Sequence, residues 1–292
     1  MTVSATDLLM SWIARQASAE SLAWLEAQRA KLATGPSDRD LQLAIGLVPR
    51  KLGRDDLQLS DQDRAAASAA RDGWDPNGWS IDVAARAMLL ATAAPGLNAF
   101  ADRYASLCRY GDVAEQIACY RALPLLPRPA ELEPQVGEGL RTNMRAVFEA
   151  IAHNNPYPAE QFDEHRWNHM VLKALFIDST LHPIVGLDRR ANTDLARILC
   201  DYAHERWAAG RVVTPELWRC VGPFASAAMI DDLIRAADSD DALSKEAAAL
   251  ALRAAPDARA ASVLSELPDE AAAAESGALT WTTVAEGLAQ RA

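Results

Sequence analysis

The sequence predicts an all-α protein, a multi-helical array of antiparallel helix pairs with a HEAT-like or solenoid-like arrangement. Three observations lead there. No run alternates convincingly with period two, and Asn77-Gly78 lies between tryptophan segments that lack strand patterning. Apolar residues instead recur at helical spacing, between capping residues and Gly/Pro breaks. Half of the 292 residues are hydrophobic, only 6% are aromatic and alanine dominates, which favours closely packed helices. Short turns between helices suggest antiparallel neighbours. No exact repeat period occurs, so an array is favoured over a true repeat protein. The length suits a single domain, 1–292, with 123–134 as the place where halves 1–122 and 135–292 would divide.

In chain order, residues 6–17 read as an amphipathic helix carrying Leu8, Leu9, Trp12 and Ile13, and 19–33 as a second. Gly35-Pro36 breaks the chain, and Ser37 with Asp40 opens a third helix as a capping box. Ser60 with Asp63 opens another, ended by Gly73. Trp74 to Trp79 reads as a turn whose flanking tryptophans pack. Ser80 caps a helix through Ala94, and Pro95-Gly96 precedes another to about Arg109. Gly111 separates that one from 112–122. Four prolines make 123–134 the longest irregular stretch, and a helix over 135–152 follows. Toward the end, 224–237, 241–255 and 257–266 read as three short helices. Residues 268–276 read as a mobile Ala/Glu-rich stretch, and Thr280 opens a terminal helix.

Residues 153–224 hold all five histidines and three of the eight tryptophans. A helix is predicted over 159–178, with Trp167, Met170, Val171 and Ala174 on its core face. Arg166, His169 and Lys173 form one ridge on the other side. That ridge is either a solvated basic stripe or the anion-binding wall of a cleft. His165 and His169 have i, i+4 spacing, but Arg166 stands where an HExxH metal site needs glutamate and no third ligand follows. No metal is expected. A second helix is predicted over 193–209, capped by Asn192, with Leu195, Leu199 and Tyr202 inward. Arg206 falls on that apolar face. A charge there needs a carboxylate, a snorkelling path to water or an anionic ligand. Asp188, Arg189 and Arg190 lie just before a helix N-terminus, which favours anions, although a surface-loop salt bridge is the commoner outcome for such residues.

The stretch resembles the signature region of the EboA family of metabolite-traffic proteins. The matching residues are His153, Asn155-Pro-Tyr-Pro-Ala-Glu160, Phe162-Asp163, Trp167-Asn168, Met170-Val-Leu-Lys-Ala-Leu-Phe176, Gly186-Leu-Asp-Arg-Arg-Ala-Asn192, Tyr202-Ala-His-Glu-Arg-Trp207 and Pro223-Phe224. Asn154-Asn155 departs from the usual HNPYP by an extra residue. The resemblance implies a bacterial operon that also encodes a UbiA-like prenyltransferase, a TatD-like hydrolase, a sugar-phosphate-cyclase-like enzyme and a TIM-barrel isomerase-like protein. It implies a role in making or moving a secondary-metabolite precursor, with the products of that operon as partners. It does not supply this member's biochemical role. The candidate ligand-binding set is Arg166, His169, Lys173, Tyr202, Arg206, His153, Tyr157, Asp188, Arg189 and Arg190.

Composition narrows the classes. A net charge of −11 argues against nucleic acid as main partner and against simple electrostatic docking to anionic lipid. Cys108, Cys119, Cys200 and Cys220 form no CxxC and read as buried free thiols of a reducing compartment. The segment MTVSATDLLMSWIARQ does not read as a signal peptide, and no run spans a membrane. The location expected is cytoplasmic, with any approach to the inner membrane made through a partner. No P-loop, G-x-S-x-G elbow or Rossmann glycine pattern occurs, and no cofactor is expected. The function expected is a non-catalytic binding or scaffold protein that offers a cationic cleft to an anionic metabolite or docks a partner enzyme. The alternatives are an enzyme using His153, His169 or Tyr202 as acid/base, with Arg206 and Lys173 as anion anchors, and a structural subunit without a ligand.

Overall fold

The structure, a computed structural model, describes residues 3–291; Met1, Thr2 and Ala292 lie outside it, the first two belonging to the amino-terminal segment read above. The chain is 71% helical, with no strand among the described residues, so the class is all-α. It divides into two compact units, residues 1–163 and 164–292.

The first unit contains α1 (Ala5–Ala14), α2 (Ala19–Leu32), α3 (Asp38–Leu52), α4 (Asp61–Ala70), α5 (Ile81–Ala93), α6 (Phe100–Tyr110), α7 (Val113–Arg121), α8 (Pro129–Gly139), α9 (Arg145–Ala152) and α10 (Tyr157–Gln161). The capping boxes at Ser37/Asp40 and Ser60/Asp63 are both formed. Helix α5 is the centre, with α1, α2, α3 and α7 packed on it. Its small side chains allow that approach from several sides, and every residue but Thr92 is buried. Trp74 and Trp79 pack: Trp74 lies 6.0 Å from Trp12 and 6.1 Å from Trp79, ring to ring.

Two expectations about this unit are corrected. Residues 123–134 are mostly helical, with a 3-10 turn at Leu123–Leu125 and the start of α8. Pro124 and Pro129 stand at helix starts, where the missing N–H costs nothing, and α8 carries Pro134 in its interior. The helix expected over 135–152 is two, because α8 stops at Gly139 and α9 begins at Arg145. Gly139 is a close approach: a Cβ there would lie 2.5 Å from the Tyr120 ring.

The second unit contains α11 (Glu164–Phe176), α12 (Leu187–Arg190), α13 (Thr193–Ala208), α14 (Trp218–Val221), α15 (Ala227–Ala237), α16 (Ala242–Ala254), α17 (Ala258–Leu264), α18 (Pro268–Ser276) and α19 (Trp281–Ala289). Helix α16 is its Ala-rich hub, touched by α14, α15, α17, α18 and α19. Residues 268–276, expected to be mobile, form α18: Pro268 opens it and Ala274 is buried against the unit.

The helix expected over 159–178 is also two. Helix α10 ends because Phe162 turns extended and buries its ring edge-on against Tyr157, 6.0 Å away. Helix α11 then starts at Glu164, where the second unit begins. Trp167, Met170, Val171, Leu195 and Leu199 are buried as the helical periodicity required. The α11/α13 pair is not antiparallel. Asn168 near the start of α11 meets Asn192 at the start of α13, and Leu175 near its end meets Tyr202 three turns later. The two helices therefore run in the same sense. The connection is long enough to return along α11, and it contains α12.

Candidate functional site

The frame of the site is a pair of asparagines. Asn168 Nδ2 donates to Asn192 Oδ1 (3.2 Å) and Asn192 Nδ2 donates to Asn168 Oδ1 (2.9 Å). Asn192 Oδ1 also accepts from Leu195 N at 2.8 Å, which is the cap expected of it. Asn192 Nδ2 further donates to the Arg190 carbonyl at 3.1 Å, fixing α12 against the cap. Arg190 then lies 4.7 Å over the buried Trp167 ring, within cation–π range. The Trp167 indole N–H is buried and has no partner among the described residues.

On α11, Arg166 and Lys173 are half-buried and His169 is exposed. Burial holds the Lys173 ammonium below its ordinary value. His169 Nδ1 lies 2.8 Å from the His165 carbonyl. A carbonyl only accepts, so Nδ1 carries a proton and donates it there. The two imidazoles sit 4.1 Å apart, and no group of three metal-binding side chains occurs among the described residues.

Asp188 is held by Arg219, whose Nε and Nη2 donate to its two carboxylate oxygens at 2.6 and 2.7 Å. Burial works to lower the Arg219 value, and the bonds and charge of Asp188 more than offset it. Arg219 Nη1 also meets His182 Nδ1 at 3.3 Å. Beside them the buried Glu216 accepts from Leu181 N (2.9 Å) and His182 N (2.8 Å), which pins the loop leading toward α12. Sequence reasoning missed Glu216 and Arg219; an acid and a base inside the apolar run Pro215–Val221 were the available signal. Arg189 is exposed.

Tyr202 is half-buried and its hydroxyl donates to the Leu175 carbonyl at 3.2 Å. Arg206 is half-buried as well. Its Nε donates to the Val212 carbonyl at 3.0 Å and its guanidinium lies 6.0 Å from the Tyr202 ring. The two terminal nitrogens of Arg206 make no hydrogen bond or ion pair among the described residues. A guanidinium fixed at one nitrogen and open at two can grip a carboxylate or phosphate.

The candidates of this unit thus fall into two groups. Arg190 lies over Trp167 near the start of α11, the helix that also carries Arg166, and Tyr202 and Arg206 stand near its end, with Lys173 one turn before that end. Asp188 joins neither, being tied to Arg219. His153 and Tyr157 belong to the first unit. His153 is half-buried and ends α9. Tyr157 is buried and its hydroxyl donates to the Pro129 carbonyl at 2.7 Å. The neighbouring Asn155 is buried and bonds the Tyr120 and Ala150 carbonyls, both at 3.2 Å, so this part of the motif holds the first unit together.

All four cysteines are buried and free. Burial pushes the Cys220 thiol up to about 12. Burial, with Asp232 beside it, pushes Cys200 up to about 12. Both therefore stay protonated, and poor nucleophiles, at ordinary pH. The native protein is expected to show no fast reaction with Ellman's reagent at pH 8, and four titratable thiols in guanidinium chloride. A rapid native equivalent would show that one thiol is open to solvent.

These features define an all-α protein whose stretch from Glu164 to Phe224 is a hydrogen-bonded frame for several cations. A family model described as metabolite traffic protein EboA matches residues 5–222, and the chain belongs to that family. No curated protein and no solved structure matches it. No helix among the described residues is long and apolar enough to cross a membrane.

Proposed function

We propose that this EboA-family protein binds an anionic intermediate of a bacterial secondary-metabolite pathway and carries out no chemistry on it. The observation that carries this reading is Arg206, a fixed, half-buried guanidinium whose terminal nitrogens have no partner among the described residues. The local field of Arg206 and Lys173 selects anions even on a chain of net charge −11. Binding is favoured over acid–base catalysis because the Tyr202 proton is committed to the Leu175 carbonyl. The ligand is a carboxylated or phosphorylated metabolite. Its supplier and recipient are enzymes of the same operon, the protein works in the cytoplasm, and any approach to the inner membrane is through such a partner.

Calorimetric titration with inorganic phosphate and small carboxylates tests this. Arg206→Ala is expected to weaken binding about tenfold or more, as for a lost charge-assisted pair. Arg206→Lys should keep part of it, because the point charge remains. Equal affinity in a folded Arg206→Ala variant would remove the reading.

A further inference from the structure

The large apolar side chains that stand exposed in the second unit are Phe176 and Val212, at 74% and 77% exposure. Both belong to the end of the unit that carries Arg206. Phe176 directly follows Leu175, whose carbonyl takes the Tyr202 hydroxyl. Phe176 also lies three residues beyond Lys173, so it continues the ridge of Arg166, His169 and Lys173 by one more step. Val212 is presented by the loop that Arg206 clamps. Arg206 Nε takes the Val212 carbonyl at 3.0 Å, and the Arg206 carbonyl accepts from Arg211 N at 2.8 Å. The loop is therefore pinned with the Val212 side chain outward and the exposed Arg211 next to it. An exposed phenyl and an exposed isopropyl thus share one end of the unit with a guanidinium open at two nitrogens.

We infer that the ligand of this surface is an amphipathic anion, with its phosphate or carboxylate on Arg206 and an apolar chain or ring lying across Phe176 and Val212. This rests on the anion reading above and adds the class of molecule. Charge complementarity fixes the head group. The apolar pair fixes the tail, since a fully hydrated anion would leave both side chains in water without gain. Arg206 has two tasks in this arrangement: Nε orders the loop, and Nη1 and Nη2 face the head group.

Calorimetry with ethyl phosphate and octyl phosphate, both below the micelle concentration, tests the tail separately from the head. Octyl phosphate is expected to bind at least about tenfold tighter, which requires only part of its added methylenes to leave water. In Phe176→Ser and Val212→Ser, both changes at exposed positions, the ratio should fall toward one while ethyl phosphate binds as before. Arg206→Ala should weaken both ligands. Equal binding of the two phosphates by the unaltered protein overturns the inference and leaves the anion reading standing. Failure of both to bind overturns both readings. A third arm uses phosphatidylcholine vesicles with and without phosphatidic acid. Binding to the anionic vesicles, with none to monomeric octyl phosphate, would assign the surface to a bilayer and overturn the inference.

Discussion

Replacing Asp82 by alanine is expected to destabilise the fold by about 3–5 kcal/mol, because it strands a buried charge. Asp82 and Arg86 are each 2% exposed on the central helix α5. Arg86 Nη1 donates to Asp82 Oδ2 at 3.0 Å and Arg86 Nε to the Ile45 carbonyl at 3.2 Å. Ser80 Oγ donates to the other Asp82 oxygen at 2.6 Å. Alanine at 82 removes the only carboxylate paired with that guanidinium among the described residues and leaves the charge buried. The double variant Asp82→Leu with Arg86→Met removes both charges, and is expected to be neutral or more stable by about 1–4 kcal/mol. Urea unfolding midpoints of the two variants decide. A single variant no less stable than the double would mean that water reaches Arg86.

Replacing Trp167 by alanine is expected to cost about 3–5 kcal/mol, the range for truncating a large buried aromatic. The ring is fully buried and is the platform on which Arg190 lies at 4.7 Å. Trp167→Phe should behave differently. It keeps an aromatic face, and it removes a buried indole N–H that has no partner among the described residues. An unsatisfied buried donor costs about 1–3 kcal/mol, which offsets the lost volume. The phenylalanine variant is therefore expected within about 1 kcal/mol of the unaltered protein, on the same volume-and-polarity reasoning. Chemical denaturation measures both. A near-neutral alanine variant would place the indole at the surface.

These side chains were not equally legible in the sequence. Trp167 was, because helical spacing set it in line with Met170, Val171 and Ala174, and all four are buried. Asp82 and Arg86 were not. At i, i+4 they read like any exposed pair on a helix face, and only the packing of α1, α2, α3 and α7 around α5 buries them. Asp188, with Arg189 and Arg190, reads either as an anion site at a helix start or as one end of a surface-loop salt bridge. Its carboxylate is bonded by Arg219, thirty-one residues later. Nothing in the local sequence announces such a partner.

Residue order alone settles local structure. Helix class, the caps at Ser37, Ser60 and Asn192, and the inward faces of α11 and α13 follow from residue spacing and from the bonds that a short polar side chain makes to its own backbone. The family also was legible, because its motif is a run of adjacent residues. Every relation between residues far apart in the chain came from the tertiary fold. It made 159–178 two helices, because Phe162 finds its place against Tyr157. It set α11 and α13 running in the same sense, because the Asn168–Asn192 amide pair joins their starts. It tied Asp188 to Arg219 and left the terminal nitrogens of Arg206 without a partner among the described residues. Spacing fixes which way a side chain leaves its own helix. Which carboxylate, carbonyl or ring it then meets depends on chain closure over long loops, and that is written in no single segment.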